Sequence, residues 1–128
     1  MPQPYSNGEL VIVIDCSDLD VSARFWCGVL GYTSGQSVSG PYRSLRPESG
    51  VGIDVLLQLV PDVKGQKNRL HLDLRTPDLD AEVRRVLDLG ASLLIREPVT
   101  EDGWSWHILA DPDGNEFCVL QSLGIPST

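Results

Sequence analysis

Residues 10–20 (LVIVIDCSDLD) lie over residues 70–80 (LHLDLRTPDLD) at an offset of 60, so the chain carries two copies of one folding unit. Each copy reads as an apolar strand, a polar turn and an Asp-Leu-Asp helix start. The helices close at Leu30-Gly31 and Leu89-Gly90, where glycine suits the position after a helix end. Helical spacing of apolar residues predicts one core-facing stripe per helix: Leu19, Ala23, Trp26, Cys27 and Leu30 in the first copy, Leu79, Val83, Val86 and Leu87 in the second. The same offset lays 54–60 (DVLLQLV) over 114–120 (GNEFCVL), both of strand type. Between helix and last strand, the first copy is rich in Gly, Ser and Pro over 33–52 and predicts only a short strand around 42–45. The second predicts strands at 93–95 and 105–110, with a turn at 100–103.

The fold class that follows is α+β, with two pseudo-symmetric βαβββ modules at about 9–60 and 70–122. A polar connector, 61–69 (PDVKGQKNR), joins them into one domain over 1–128. In this arrangement the strands make one curved mixed sheet with helices outside and a concave cavity.

Strand alternation sorts the two faces of that sheet. Leu10, Ile12 and Ile14, with Leu70, Leu72 and Leu74, are expected on the helix side, as are Val55, Leu57, Leu59, Phe117 and Val119. The opposite face then carries Asp15, Gln58, His71, Asp73, Arg75, Glu116 and Cys118, a set of polar groups that would converge on the cavity. Trp104 and Trp106 share one face of the 105–110 strand and offer rings for stacking or for holding a cation. Lys64, Lys67 and Arg69 form a small basic cluster in the connector, suited to the cavity mouth.

Composition narrows the partners. Eighteen acidic against ten basic residues give a net charge of −8, which opposes attraction to phosphate backbones or anionic lipid, so neither nucleic acid nor membrane is expected. Three cysteines, Cys16, Cys27 and Cys118, are an odd number without C-x-x-C spacing. The first residues lack a basic start followed by an apolar run, so no signal peptide is expected and the reading is cytoplasmic. Walker, dinucleotide-glycine, H-E-x-x-H and G-x-S-x-G motifs are absent.

At 25–32 (FWCGVLGY), 69–79 (RLHLDLRTPDL) and above all 111–120 (DPDGNEFCVL), the sequence resembles the vicinal oxygen chelate superfamily, most closely its glyoxalase-like members. That group includes glyoxalase I, extradiol dioxygenases, fosfomycin-resistance enzymes and bleomycin-resistance binding proteins. The resemblance spans about residues 9–122 and implies a homodimer. It also implies metal-ligand positions at Val11, Gln58, His71 and Cys118, which the offset of 60 pairs as 11 with 71 and 58 with 118. Val11 has no donor atom and Cys118 stands where a carboxylate is expected. His71 and Gln58 remain as conventional ligands for a divalent metal, and no metal cofactor is favoured.

The sequence thus points to a metal-independent, glyoxalase-like small-molecule binding protein that sequesters a toxic compound, with the acidic balance favouring a cationic one. The candidate cavity residues are Gln58, His71, Asp73, Arg75, Trp104, Trp106, Glu116 and Cys118. The alternative is an enzyme, a lyase, isomerase or dioxygenase, using either a metal at His71 and Gln58 or acid–base chemistry by His71, Asp73 and Glu116. Cys118 with His71 as base is a further candidate nucleophile, set against an inert buried thiol.

Overall fold

Asp18 and Asp78, sixty residues apart, begin the two helices in the same way. Each carboxylate accepts a hydrogen bond from the backbone N–H three residues on, Val21 at 3.0 Å and Ala81 at 3.1 Å, satisfying donors that the first helical turn leaves open. The structure, a computed structural model, describes residues 7–35 and 40–124. The chain divides into two compact units between Val63 and Lys64, inside the connector expected from sequence.

The first unit contains β1 (Val11–Cys16), α1 (Leu19–Leu30), β2 (Tyr32–Ser34), β3 (Tyr42–Pro47) and β4 (Asp54–Leu59). Its sheet has the order β1-β4-β3-β2, with β1 and β4 parallel and the other pairs antiparallel. The second unit contains β5 (Leu72–Arg75), α2 (Leu79–Asp88), β6 (Ser92–Leu93), β7 (Val99–Glu101), β8 (Trp104–Ala110) and β9 (Glu116–Ser122). Its order, β5-β9-β8-β6, repeats that of the first unit, again with a parallel outer pair. The repeat in the sequence is therefore a repeat of topology, and the protein is α+β with two mixed sheets and two helices among the described residues.

The helix-side faces carry the core. In the first unit α1 packs on β2, β3 and β4, and Leu45, Val55 and Leu57 are buried. In the second, α2 packs on β8 and β9 over buried Leu109, Phe117 and Val119. The α2 stripe is as expected, with Leu79, Val83 and Val86 buried and Leu87 half-buried. The α1 face is rotated from its expected position: Ser22, Ala23, Phe25, Trp26 and Val29 are buried, whereas Leu19, Cys27 and Leu30 are half-buried. The two large rings set this, since Phe25 and Trp26 meet edge to face at 5.1 Å between centroids and have the most apolar area to remove from water.

Several local expectations change. Leu70 is 89% exposed and lies outside the ladder, because β5 begins only at Leu72. Leu10 likewise precedes β1 and is exposed. The stretch read as a turn at 100–103 is a hairpin: Asp102 and Gly103 take positive φ (55° and 83°), as a two-residue turn between antiparallel β7 and β8 requires. In the Gly-rich stretch after α1, β2 and a six-residue β3 form where only a short strand was expected. The Tyr32 hydroxyl closes this region by donating to the Ile53 carbonyl at 2.7 Å. Cys16 ends β1 and is buried.

Candidate functional site

A cavity of about 250 Å³ opens on the face of the second sheet turned away from α2, lined by Lys67, His71, Asp73, Trp106, Ile108, Glu116, Cys118 and Leu120. Register explains the set. The parallel β5–β9 pairing puts Asp73 beside Cys118, and the antiparallel β8–β9 pairing puts Ile108 beside Cys118 and Trp106 beside Leu120. Paired residues project to the same face, so these strands present one continuous patch. Phe117, Val119 and Leu109 alternate onto the helix side and are buried.

The polar side of the cavity has two pairs. His71 Nδ1 lies 3.0 Å from Asp73 Oδ1, with both side chains half open to solvent at 42% and 45% exposure. The carboxylate oxygen and the imidazole stand within ion-pair distance, and Nε2 is the ring's second coordinating atom. Glu116 is held from two sides: Lys67 Nζ donates at 2.9 Å and Lys64 Nζ at 3.1 Å. The Lys67 hydrogen bond, then that of Lys64, holds the Glu116 carboxyl below its usual range, so it is a paired carboxylate. Lys64 also donates to the Gln66 carbonyl, which anchors the connector there.

Cys118 behaves differently. It is 7% exposed, and burial followed by the negative charge of Asp73 pushes its thiol up to about 11. A thiol in that state is a poor nucleophile at neutral pH, in keeping with an inert buried thiol. In a Cys16→Ser/Cys27→Ser background, alkylation of Cys118 by iodoacetamide at pH 8 is expected to run about 100-fold slower than for an ordinary thiol, from the smaller thiolate fraction alone. The rate should climb about tenfold per pH unit toward pH 11. A plateau near pH 9 would contradict this assignment.

Of the residues expected from sequence, the structure brings together His71, Asp73, Trp106, Glu116 and Cys118. Arg75 and Trp104 pair with each other instead: the guanidinium stands 4.7 Å over the indole ring, a cation–π contact, and neither lines the cavity. Gln58 lies on β4 of the first unit, half-buried and in register with Asp15 of β1, and Val11 opens that strand. Lys67, Ile108 and Leu120 complete the lining. Ile108 was legible from the same alternation that places Trp104 and Trp106 together, and Lys67 belongs to the basic cluster expected at the mouth.

Two units that share the βαβββ strand order, the second with the extra strand β7 paired to β8 and with a cavity on the sheet face away from its helix, are the architecture of the vicinal oxygen chelate superfamily. A family model described as a glyoxalase-like domain matches residues 11–120, and the chain belongs to that family. No curated protein sequence matches it. Solved structures share the fold at low identity. A glyoxalase/bleomycin resistance protein/dioxygenase family enzyme from Burkholderia phytofirmans PsJN is 21% identical (TM-score 0.69, covering 88% of this chain and 97% of the other). A glyoxalase-related enzyme from Fulvimarina pelagi is 20% identical (TM-score 0.67, 91% of each chain). The fosfomycin resistance protein FosX from Listeria monocytogenes, as a point variant complexed with Mn(II) and 1S,2S-dihydroxypropylphosphonic acid, is 15% identical (TM-score 0.70, 93% and 91%).

The donor set here does not fit a hard, oxygen-seeking ion of that kind. At the positions the resemblance implies, Val11 has no donor, Cys118 offers a protonated thiol, and nearby Glu116 is engaged by two lysines. No step of function is therefore routed through such a metal.

Proposed function

We propose that the protein binds a compact organic molecule in the second-unit cavity, without the family's catalytic metal, and in this way sequesters a toxic compound. The observation that carries this reading is the division of the lining. Trp106, Ile108 and Leu120 give an apolar wall with one aromatic ring, while His71 and Asp73 offer a single oriented polar pair. Small-molecule sites are built in this way, mostly apolar with a few placed polar groups. Because Lys64 and Lys67 neutralise Glu116, Asp73 is the carboxylate facing the cavity without a lysine on it. That supports a ligand with a planar body against Trp106 and a positive group toward Asp73. A cytoplasmic setting and homodimerisation are part of the same proposal, the first from the sequence and the second from the family resemblance.

The test is thermal-shift and tryptophan-fluorescence screening against planar and cationic metabolites and antibiotics, with chelator present. A ligand at 100 times its Kd should add about 2.7 kcal/mol of stability. Trp106→Ala should weaken binding by about 10- to 100-fold, through lost ring contact and apolar area. Shifts seen only when a divalent metal is added, or binding untouched by Trp106→Ala, would overturn the proposal.

One observation favours an enzymatic reading as well: the His71–Asp73 pair is oriented as a general base would be. Under that reading, His71→Ala would abolish turnover of a bound ligand while leaving its Kd within about threefold.

A further inference from the structure

We propose that Arg75, seated on Trp104 at the edge of the second-unit cavity, binds the carboxylate of a ligand whose positive group meets Asp73, which makes the ligand a flat zwitterion. This carboxylate site rests on the reading of the cavity proposed above and adds to it a second contact of opposite charge.

Register puts Arg75 on the face of the cavity. It stands two residues beyond Asp73 on β5 and pairs with Leu120, a lining residue of β9. Residues two apart on a strand share a face, with Cα atoms roughly 6.6 Å from each other. Trp104 likewise stands two residues from the lining Trp106 on β8. Its ring holds the guanidinium 4.7 Å from its centroid, over the same sheet face.

That contact supplies no counter-ion, because an aromatic ring attracts a cation through its quadrupole alone. Among the described residues no carboxylate lies within ion-pair distance of Arg75, Glu101 across the β7–β8 register included. Asp73, its neighbour on the face, turns to His71 instead. Two opposite charges thus stand side by side without pairing. The cations at the other end of the cavity, Lys64 and Lys67, are both engaged by Glu116. Arg75 is exposed, so its planar fork of N–H donors is open to a carboxylate, which it matches with two parallel hydrogen bonds. Seating the side chain on the ring meets part of its ordering cost before a ligand arrives.

The experiment compares three probes on full-length protein with chelator present, their Kd values read by calorimetry. They are 4-(aminomethyl)benzoate, its methyl ester and benzylamine, which share one ring and one ammonium and differ in the carboxylate. The acid is expected to bind about three- to tenfold more tightly than the ester, a gain held down by the exposure of the guanidinium and reduced further by salt. Arg75→Gln should bring acid and ester to the same Kd while leaving that of the ester within about twofold, and Arg75→Lys should keep part of the gain, since the charge stays and the fork goes. Trp104→Ala should also shrink the gain, which marks Trp104 as a positioning residue for the guanidinium. A purely structural Arg75–Trp104 contact would alter thermal melts and leave the ratio of the two Kd values untouched.

Equal affinity for acid and ester in the unaltered protein would overturn the carboxylate site and leave the cationic reading of the cavity standing. A preference for the acid that survives Arg75→Gln would do the same and would hand the carboxylate to Lys67. Failure of all three probes to bind below about 10 mM would overturn both.

Discussion

Trp26→Ala is expected to remove about 3–5 kcal/mol of stability, a large part of what a domain of this size possesses. The indole is 1% exposed at the centre of the buried α1 face, edge to face with Phe25, and α1 is the helix that covers β2, β3 and β4. Truncation deletes the ring's transfer free energy and leaves a cavity that surrounding side chains fill only in part. In urea, with a slope near 1.5 kcal/mol per molar, the midpoint read by far-ultraviolet circular dichroism should fall by roughly 2–3 M. Leu70→Ala is the control. That residue was expected in the core from its position in the repeat, but it is 89% exposed and its loss should change stability by less than about 0.5 kcal/mol. Equal effects of the two substitutions would mean that the core does not lie where the burial places it.

The contrast between Trp26 and Leu70 shows which parts of this fold were legible in the sequence. The Asp-Leu-Asp helix starts could be read because capping is settled within four residues, and the structure puts the Asp18 and Asp78 carboxylates on the N–H groups of Val21 and Ala81. The alternation along β8 and β9 could be read because side-chain direction follows from the pleat alone, so Glu116 goes with Cys118 and Trp104 with Trp106, while the β8–β9 register is what puts Trp106 and Cys118 on the same face. Leu70 has the same pattern but no hydrogen-bonded partner, and pattern cannot tell where a ladder begins. The rotation of α1 has a similar origin: Trp26 was expected in the core with Leu19, Cys27 and Leu30, and the Phe25 ring packed against it turns the buried face toward Ser22, Phe25 and Val29.

The site divides along the same line. The face on which Asp73 and Cys118 stand follows from alternation, although the offset of sixty would carry the Asp15–Gln58 pair onto Arg75 and Cys118, two residues from the register observed. The grip on Glu116 does not, because Lys64 and Lys67 reach it across separations of 52 and 49 residues, from a connector with no periodicity. Their presence changes the chemistry of the cavity, since it removes Glu116 as a free carboxylate and leaves Asp73 to act with His71. Arg75 and Trp104 meet by a contact along the sheet face, and a residue list ordered by alternation does not show such a pair.

Asp111→Ala should cost on the order of 3 kcal/mol and lower Tm by roughly 10 °C. The carboxylate is 2% exposed and organises the turn that reverses β8 into β9. Oδ1 accepts from the Asp113 N–H at 2.9 Å and the Asn115 N–H at 2.8 Å, and Oδ2 accepts from Asn115 Nδ2 at 3.0 Å. Alanine would strip the carboxylate from those three donors, and a buried donor left without an acceptor costs about 1–3 kcal/mol where water cannot reach it. Gly114, at φ 88°, and the backbone pair from Asp111 N–H to the Asn115 carbonyl at 2.8 Å would remain, so the turn itself should persist while its alignment loosens. The effect is expected to reach the cavity, because β9 starts at Glu116 directly after this turn and carries Cys118 two residues on. Asp111→Asn should recover about half of the loss, since an amide oxygen can still accept the two backbone bonds while its NH₂ cannot accept from Asn115. If Asp111→Ala and Asp111→Asn were equally mild in thermal melts, below about 1 kcal/mol each, the turn would be held by its backbone alone and the carboxylate would have no part in aligning the site.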